Sequence, residues 1–184
     1  MAARVPYVER EELDAEGQEI YDRIRKDRNA PRVGLQFRAL LHSPRATSHL
    51  TSMGAQLRFQ SALPENLKEF AIIIVAREWN SDIEWTAHSA LAAKAGVSAE
   101  ALEAVRTGKA PAGLDEKQRT IVAFIHGLLR KKDVPDETFN AVQKMLGTKL
   151  LRGNVYGHRC RRQTGLHPRT RLFAGLTKHP FADR

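Results

Sequence analysis

The sequence predicts an all-α domain, and three observations carry that prediction. Apolar residues recur at spacings of three and four through residues 14–147, the mark of helices with one buried face. All but one of these runs open on Asp, Ser or Pro, and three close on Gly, the residues that start and stop helices. No segment alternates apolar and polar residues convincingly enough for a strand, and no internal repeat is present.

Taken in order, Asp14 is placed to cap a first helix carrying Ile20, Tyr21 and Ile24 on one side and Asp22, Arg23, Arg25 and Lys26 on the other. NAPRVG, residues 29–34, breaks it with Pro and Gly. A short helix follows with Phe37, Leu40 and Leu41. Ser43-Pro44 then provides an N-cap and a proline at the first helical position, opening a helix with Leu50, Met53 and Leu57 as its apolar stripe. The segment from Pro64 to Trp79 contains AIIIV, which alone could pass for a buried strand. Its length without a breaker, and the spacing of Leu67, Phe70, Ala71, Ile74 and Val75, predict a buried helix instead. The next helix is predicted over Asp82–Ala95, with Gly96 as a left-handed stop. Ser98 caps a short helix ending near Thr107-Gly108. Asp115 caps one carrying Ile121, Val122, Phe124, Ile125, Leu128 and Leu129. Pro135-Asp136 opens a last one through Phe139, Val142 and Leu146, stopped by Gly147.

Composition narrows the class. The apolar content of 42% in 184 residues suits a single domain with a real core. There is no membrane-length apolar run and no apolar segment near the start, so a cytoplasmic protein is expected. One cysteine, Cys160, excludes a disulfide framework and a cysteine-rich zinc site. The net charge of +9 raises nucleic acid as a partner. Yet of 30 basic and 21 acidic residues, eight and one lie in 152–184, leaving 22 and 20 in the rest, so the body is nearly neutral.

Residues 151–184 form an atypical basic tail rich in Arg, His, Gly, Pro and Thr, without a helical period. It reads either as a polyanion-binding extension or as a frame-shifted last helix. The frame slip is favoured, because a real element agrees locally with its fold. Translation of the coding DNA in the other frames distinguishes the two. Nucleic acid is an expected partner only if the tail is genuine.

The chemistry-bearing residues lie at the helix pair 65–95. Glu84 and His88 head a stripe with Leu91, Ala92 and Ala95, and Glu69 heads the stripe Glu69, Ile72, Ile73, Ala76 on the preceding helix. Packed antiparallel across a short turn at Asn80-Ser81, the two stripes would bring an acid from one helix toward an acid and a histidine from the other. Such a cluster can hold a proton and deliver it. The competing reading is a surface i, i+4 pair worth a few tenths of a kcal/mol and an ordinary first-turn acid. Three such ligands could also hold a metal, but nothing in the sequence supports one, and no metal or cofactor is expected. Trp85 reads as core packing or a pocket wall. Arg38, Arg58 and Arg77 are the cations available for an anionic substrate. His49 and His126 are isolated.

The run EFAIIIVAREWNSDIEWTAH, residues 69–88, followed by SALAAKAG, resembles the carboxymuconolactone decarboxylase family, which also contains the alkylhydroperoxidase D-like proteins. LLHSP at 40–44, AGVS and LDEKQRTIVAF fit the same pattern. The resemblance divides the chain into an N-terminal helix and connector (1–34), a carboxymuconolactone decarboxylase-like core (35–150) and the tail (151–184). It implies a compact multi-helix fold and a trimer or hexamer with the pocket near a subunit interface, and it brings His42 forward as a pocket residue, against the plainer reading of a histidine at a helix C-terminus. In the peroxide-reducing branch a CxxC pair precedes the histidine. Counted back from His88, those cysteines fall on Ser81 and Glu84, and the upstream acid on Glu69. A thiolate is the nucleophile of that chemistry, so the match is to the non-thiol branch. The implied function is cofactor-independent acid–base chemistry on a small lactone or carboxylic acid, a lyase activity with Glu69, Glu84 and His88 as catalytic residues. The alternatives are a peroxide-reducing (peroxiredoxin-type) relative that has lost its thiols and a non-catalytic helical oligomer binding a ligand or polyanion.

Overall fold

A computed structural model of the chain describes residues 5–108 and 113–147. The basic tail and Cys160 lie outside the described residues. Helices α1 (Ala15–Asp27), α2 (Leu35–Leu40), α3 (Pro44–Phe59), α4 (Glu65–Glu78), α5 (Asp82–Lys94), α6 (Ala99–Thr107) and α7 (Glu116–His126) are joined by α8, residues 136–147. No strand occurs among the described residues. The all-α expectation therefore holds, with AIIIV inside a helix. Two compact units are present, the first running to Ser61 and the second beginning at Ala62.

In the first unit, Asp14 Oδ1 caps α1 by accepting from the Gly17 N–H at 2.8 Å. Tyr21 and Ile24 of α1 are buried with Val8, Val33 and Leu41. Arg38 of α2 is buried too. It donates to the Val8 carbonyl and to the Glu9 carboxylate, which tethers the segment preceding α1. In α3 the expected stripe of Leu50, Met53 and Leu57 is only partly buried, and the deepest residues are Thr47 and Thr51. Their hydroxyls make that tolerable. Thr47 Oγ1 shares its proton between the Leu40 and Ser43 carbonyls, and Thr51 Oγ1 donates to the Thr47 carbonyl, so both buried hydroxyls are satisfied.

The second unit is built around α4. Leu67, Phe70, Ile72, Ile73, Ile74 and Ala76 are all buried, spread around the helix rather than along one stripe. Such a helix belongs in the centre of a helical layer, and α4 packs against α5, α6 and α7. Each buried Phe or Ile contributes about 1.5–3 kcal/mol relative to exposure. Ala92, Val97, Ala101, Val105, Leu114, Ile121 and Ile125 close the core around it. Ser98 and Asp115 cap α6 and α7 as expected, Asp115 through a reciprocal capping box with Gln118. Gly96 takes a φ of 93° after α5, the left-handed stop predicted for it.

Three expectations are corrected here. α7 does not continue regularly through Leu128 and Leu129. After His126 the backbone widens into a single π turn, Gly127–Lys131. A glycine suits its start, because a Cβ at residue 127 would stand 2.9 Å from the Asp133 carbonyl oxygen. Leu91 does not face the core. It is 37% exposed, and the buried side of α5 runs instead through His88 and Ala92. Phe139, expected on the inner side of α8, is also exposed, while Val142 is buried against Phe124.

Candidate functional site

The site depends on a tight antiparallel hairpin. α4 ends at Glu78, and the chain turns through Trp79, Asn80 and Ser81 into α5. The turn needs one residue in the left-handed region, and Asn80 supplies it at φ 48°. Its side chain is pinned, since Oδ1 accepts from Arg77 Nη1 at 2.6 Å. Arg77 also donates to the Arg106 carbonyl at 2.7 Å, which ties the hairpin to the end of α6.

This turn sets Glu69, two and a half turns back along α4, opposite His88, halfway along α5. Glu69 is completely buried. Its Oε2 lies 2.6 Å from His88 Nδ1. At that separation one proton lies between the two atoms, held by the ring or by the carboxyl group. The other ring nitrogen, Nε2, lies 3.4 Å from Glu84 Oε2, in ion-pair range. The imidazole therefore stands between two carboxylates. Side-chain exposure rises along the series, from 1% at Glu69 through 8% at His88 to 38% at Glu84. One end of the chain of groups is sealed in the core and the other reaches water.

The structure thus brings together all three residues singled out in the sequence. Glu69 is not a surface first-turn acid, and Glu84–His88 is more than a solvated i, i+4 pair. Trp85 is half-buried and packs on the core cluster. The other sequence candidates serve elsewhere. His42 Nε2 bonds the Pro6 carbonyl at 2.9 Å, and His49 is exposed. Arg38 is committed to Val8 and Glu9, and Arg77 to Asn80 and Arg106. Among the described residues no group of three His, Cys, Asp or Glu side chains has a geometry that could hold a metal ion, and no helix is long and apolar enough to cross a membrane.

One ionisable cluster was not foreseen. Glu78, at the last residue of α4, takes a two-pronged bond from Arg130 (Nε to Oε2 at 2.8 Å, Nη2 to Oε1 at 2.6 Å) and has His126 Nε2 at 3.3 Å. The Arg130 guanidinium, donating to Glu78, holds its carboxyl below the ordinary value. Burial, and then the Arg130 charge, push His126 down despite Glu78. The π turn is what brings Arg130 to this position. No periodic pattern flags it, because Glu78 and Arg130 are 52 residues apart.

Residues 44–126, from the start of α3 to the end of α7, match the family model described as "Carboxymuconolactone decarboxylase family". The matched span contains Glu69, Glu84 and His88. No curated protein matches the chain significantly.

Proposed function

We propose, from the premise that residues 44–126 of this chain belong to the carboxymuconolactone decarboxylase family, that Glu69, Glu84 and His88 are the proton-handling group of a cofactor-independent lyase acting on a small unsaturated lactone acid. The observation that carries this reading is the imidazole held between a fully buried and a partly exposed carboxylate. A buried acid bonded to the imidazole fixes the ring's orientation and shares a proton with it. Glu84, open to solvent, stands where a proton can be exchanged with substrate or water. In a β,γ-unsaturated lactone acid, the electrons released as carbon dioxide departs enter the conjugated system, and an acid then protonates the γ-carbon. His88 or Glu84 is the donor in that step, and Glu69 is the positioning residue behind His88.

A thiol-peroxide reaction would need cysteines where this chain has Ser81 and Glu84. Self-association belongs to the same reading. Ile83 and Leu91 stand exposed on the outer side of α5, at 59% and 37%, apolar surface of the kind a second copy would cover.

The test is turnover of 4-carboxymuconolactone, followed by carbon dioxide release. His88→Ala and Glu84→Gln are each expected to lower kcat by about 10²–10⁴-fold, the usual contribution of a positioned acid or base, with the helical circular dichroism signal retained. Full activity in a folded His88→Ala protein would overturn the proposal.

A further inference from the structure

Ile83, Ala87, Ala90 and Leu91 of α5 are all exposed. At about 3.6 residues per turn they fall within about 100° of one another around the helix, so they form one stripe. Apolar residues scattered singly over a surface are ordinary, whereas a contiguous patch rimmed by charge points to an interaction site. Both ends of this stripe carry a charge. Lys94, exposed at the C-terminal end, makes no ion pair among the described residues. Glu84 borders the other end, three residues before Ala87, and is the solvent-facing partner of His88. The stripe also matches itself when reversed. Ala87 stands at its middle, with Ile83 four residues before it and Leu91 four after.

We infer that α5 packs antiparallel against α5 of a second copy of the chain, about a two-fold axis at Ala87. Ile83 then faces the partner's Leu91, and Ala87 faces the partner's Ala87. A contact between identical surfaces requires this kind of self-match, and the small side chain at the axis lets the two helices approach closely. Charge selects the antiparallel arrangement. A parallel pair would set Lys94 against Lys94 and Glu84 against Glu84. Reversed, the partner's Lys94 lies only about 6 Å from Glu84 along the axis, the rise of four residues. Side chains on a helix lean toward its N-terminus, so in an antiparallel pair these two lean toward each other and close that gap. The inference deepens the self-association proposed above, and it rests on the acid–base reading in counting Glu84 as a site residue. It places a cation from the partner at the edge of that site.

The experiment has two parts, and neither needs turnover. In a Cys160→Ser background, Ala87→Cys is expected to give a disulfide-linked dimer on mild oxidation, because the axis brings the two residues 87 within the roughly 7 Å Cα separation that a disulfide allows. Ile83→Cys is expected not to link, since its two copies stand about 12 Å apart along the axis. A parallel pair would link through both. In sedimentation velocity over a concentration series, Ala87→Glu sets two carboxylates against each other at the axis and is expected to halve the mass of the wild-type assembly. Lys94→Glu faces Glu84 with a like charge and is expected to weaken the pair at least about tenfold. Both substitutions fall on exposed residues, so the helical circular dichroism signal should be unchanged. Linkage through residue 83, no linkage through residue 87, or a mass that Ala87→Glu leaves unaltered overturns the inference. A wild type that stays monomeric overturns it too and leaves the stripe to another occupant. If the pair forms but wild type turns over no lactone acid, the lyase reading fails and the interface stands. If a protein that does not pair turns over the lactone acid, the interface fails and the lyase reading stands.

Discussion

Burying the Glu69 carboxylate unpaired would cost several kcal/mol, and the His88 ring at 2.6 Å offsets that cost. The two residues should therefore be coupled in stability as well as in chemistry. His88→Ala is expected to destabilise the protein by about 3–5 kcal/mol, the cost of removing one partner from a buried pair. In a double-mutant cycle with Glu69→Gln the coupling should reach about 1–3 kcal/mol. Urea unfolding of the four proteins measures it, and strictly additive single mutants would show that the pair does not act as a unit. The partnership was legible in the sequence, since two stripes on consecutive helices leave few alternatives once the turn is short. The complete burial of Glu69 was not, because a glutamate near the start of a helix is as ordinary on a surface. Thr47 and Thr51 mark the same limit. A threonine enters a core when carbonyls one turn back are within reach of its hydroxyl, and that depends on packing rather than on period.

At the level of elements, α4 and the π turn after α7 are joined through Glu78, Arg130 and His126, and the pH dependence of that join has a definite sign. Glu78 titrates below its ordinary value of 4.5 in the folded protein, so its stabilising effect is present above that value and is lost as pH falls through the folded pKa. His126 titrates below 6.5. On acidification the unfolded chain binds this proton first, so stability falls from about pH 6.5 downward until the folded histidine also protonates. Both groups act in one direction. Tm should decline from neutral toward acid pH, and His126→Gln should remove the part of the decline that begins near pH 6.5. The effect should be modest, at most about 1 kcal/mol, since Arg130 is half-exposed. A variant whose Tm profile overlays wild type would sink this account. The caps at Asp14, Ser98 and Asp115 and the stop at Gly96 were readable because each is decided within four residues. The inner face of α5 was not, because alanines surround that helix and leave its apolar side ill-defined. Leu91 then looked as inward as Ala92.

Across the whole chain, charge and candidate chemistry are separated in sequence. The described helices are nearly balanced in charge, and the excess lies in residues 152–184. Any binding to a polyanion should follow that segment. Retention on immobilised heparin at low salt is expected to fall sharply when the chain is ended at Leu151, with the salt dependence falling too; unaltered retention would place the basic surface among the helices instead. The Glu69–His88 bond, by contrast, spans only 19 residues. The entropy of closing a loop grows with its length, and contacts near in sequence tend to form early. That order places the pairing of Glu69 with His88 ahead of the Glu78–Arg130 tie, which spans 52. A chain folded only as far as α5 already contains every side chain assigned to the reaction. Refolding should thus restore the environment of the imidazole in its fast phase, before the helices that follow are secured.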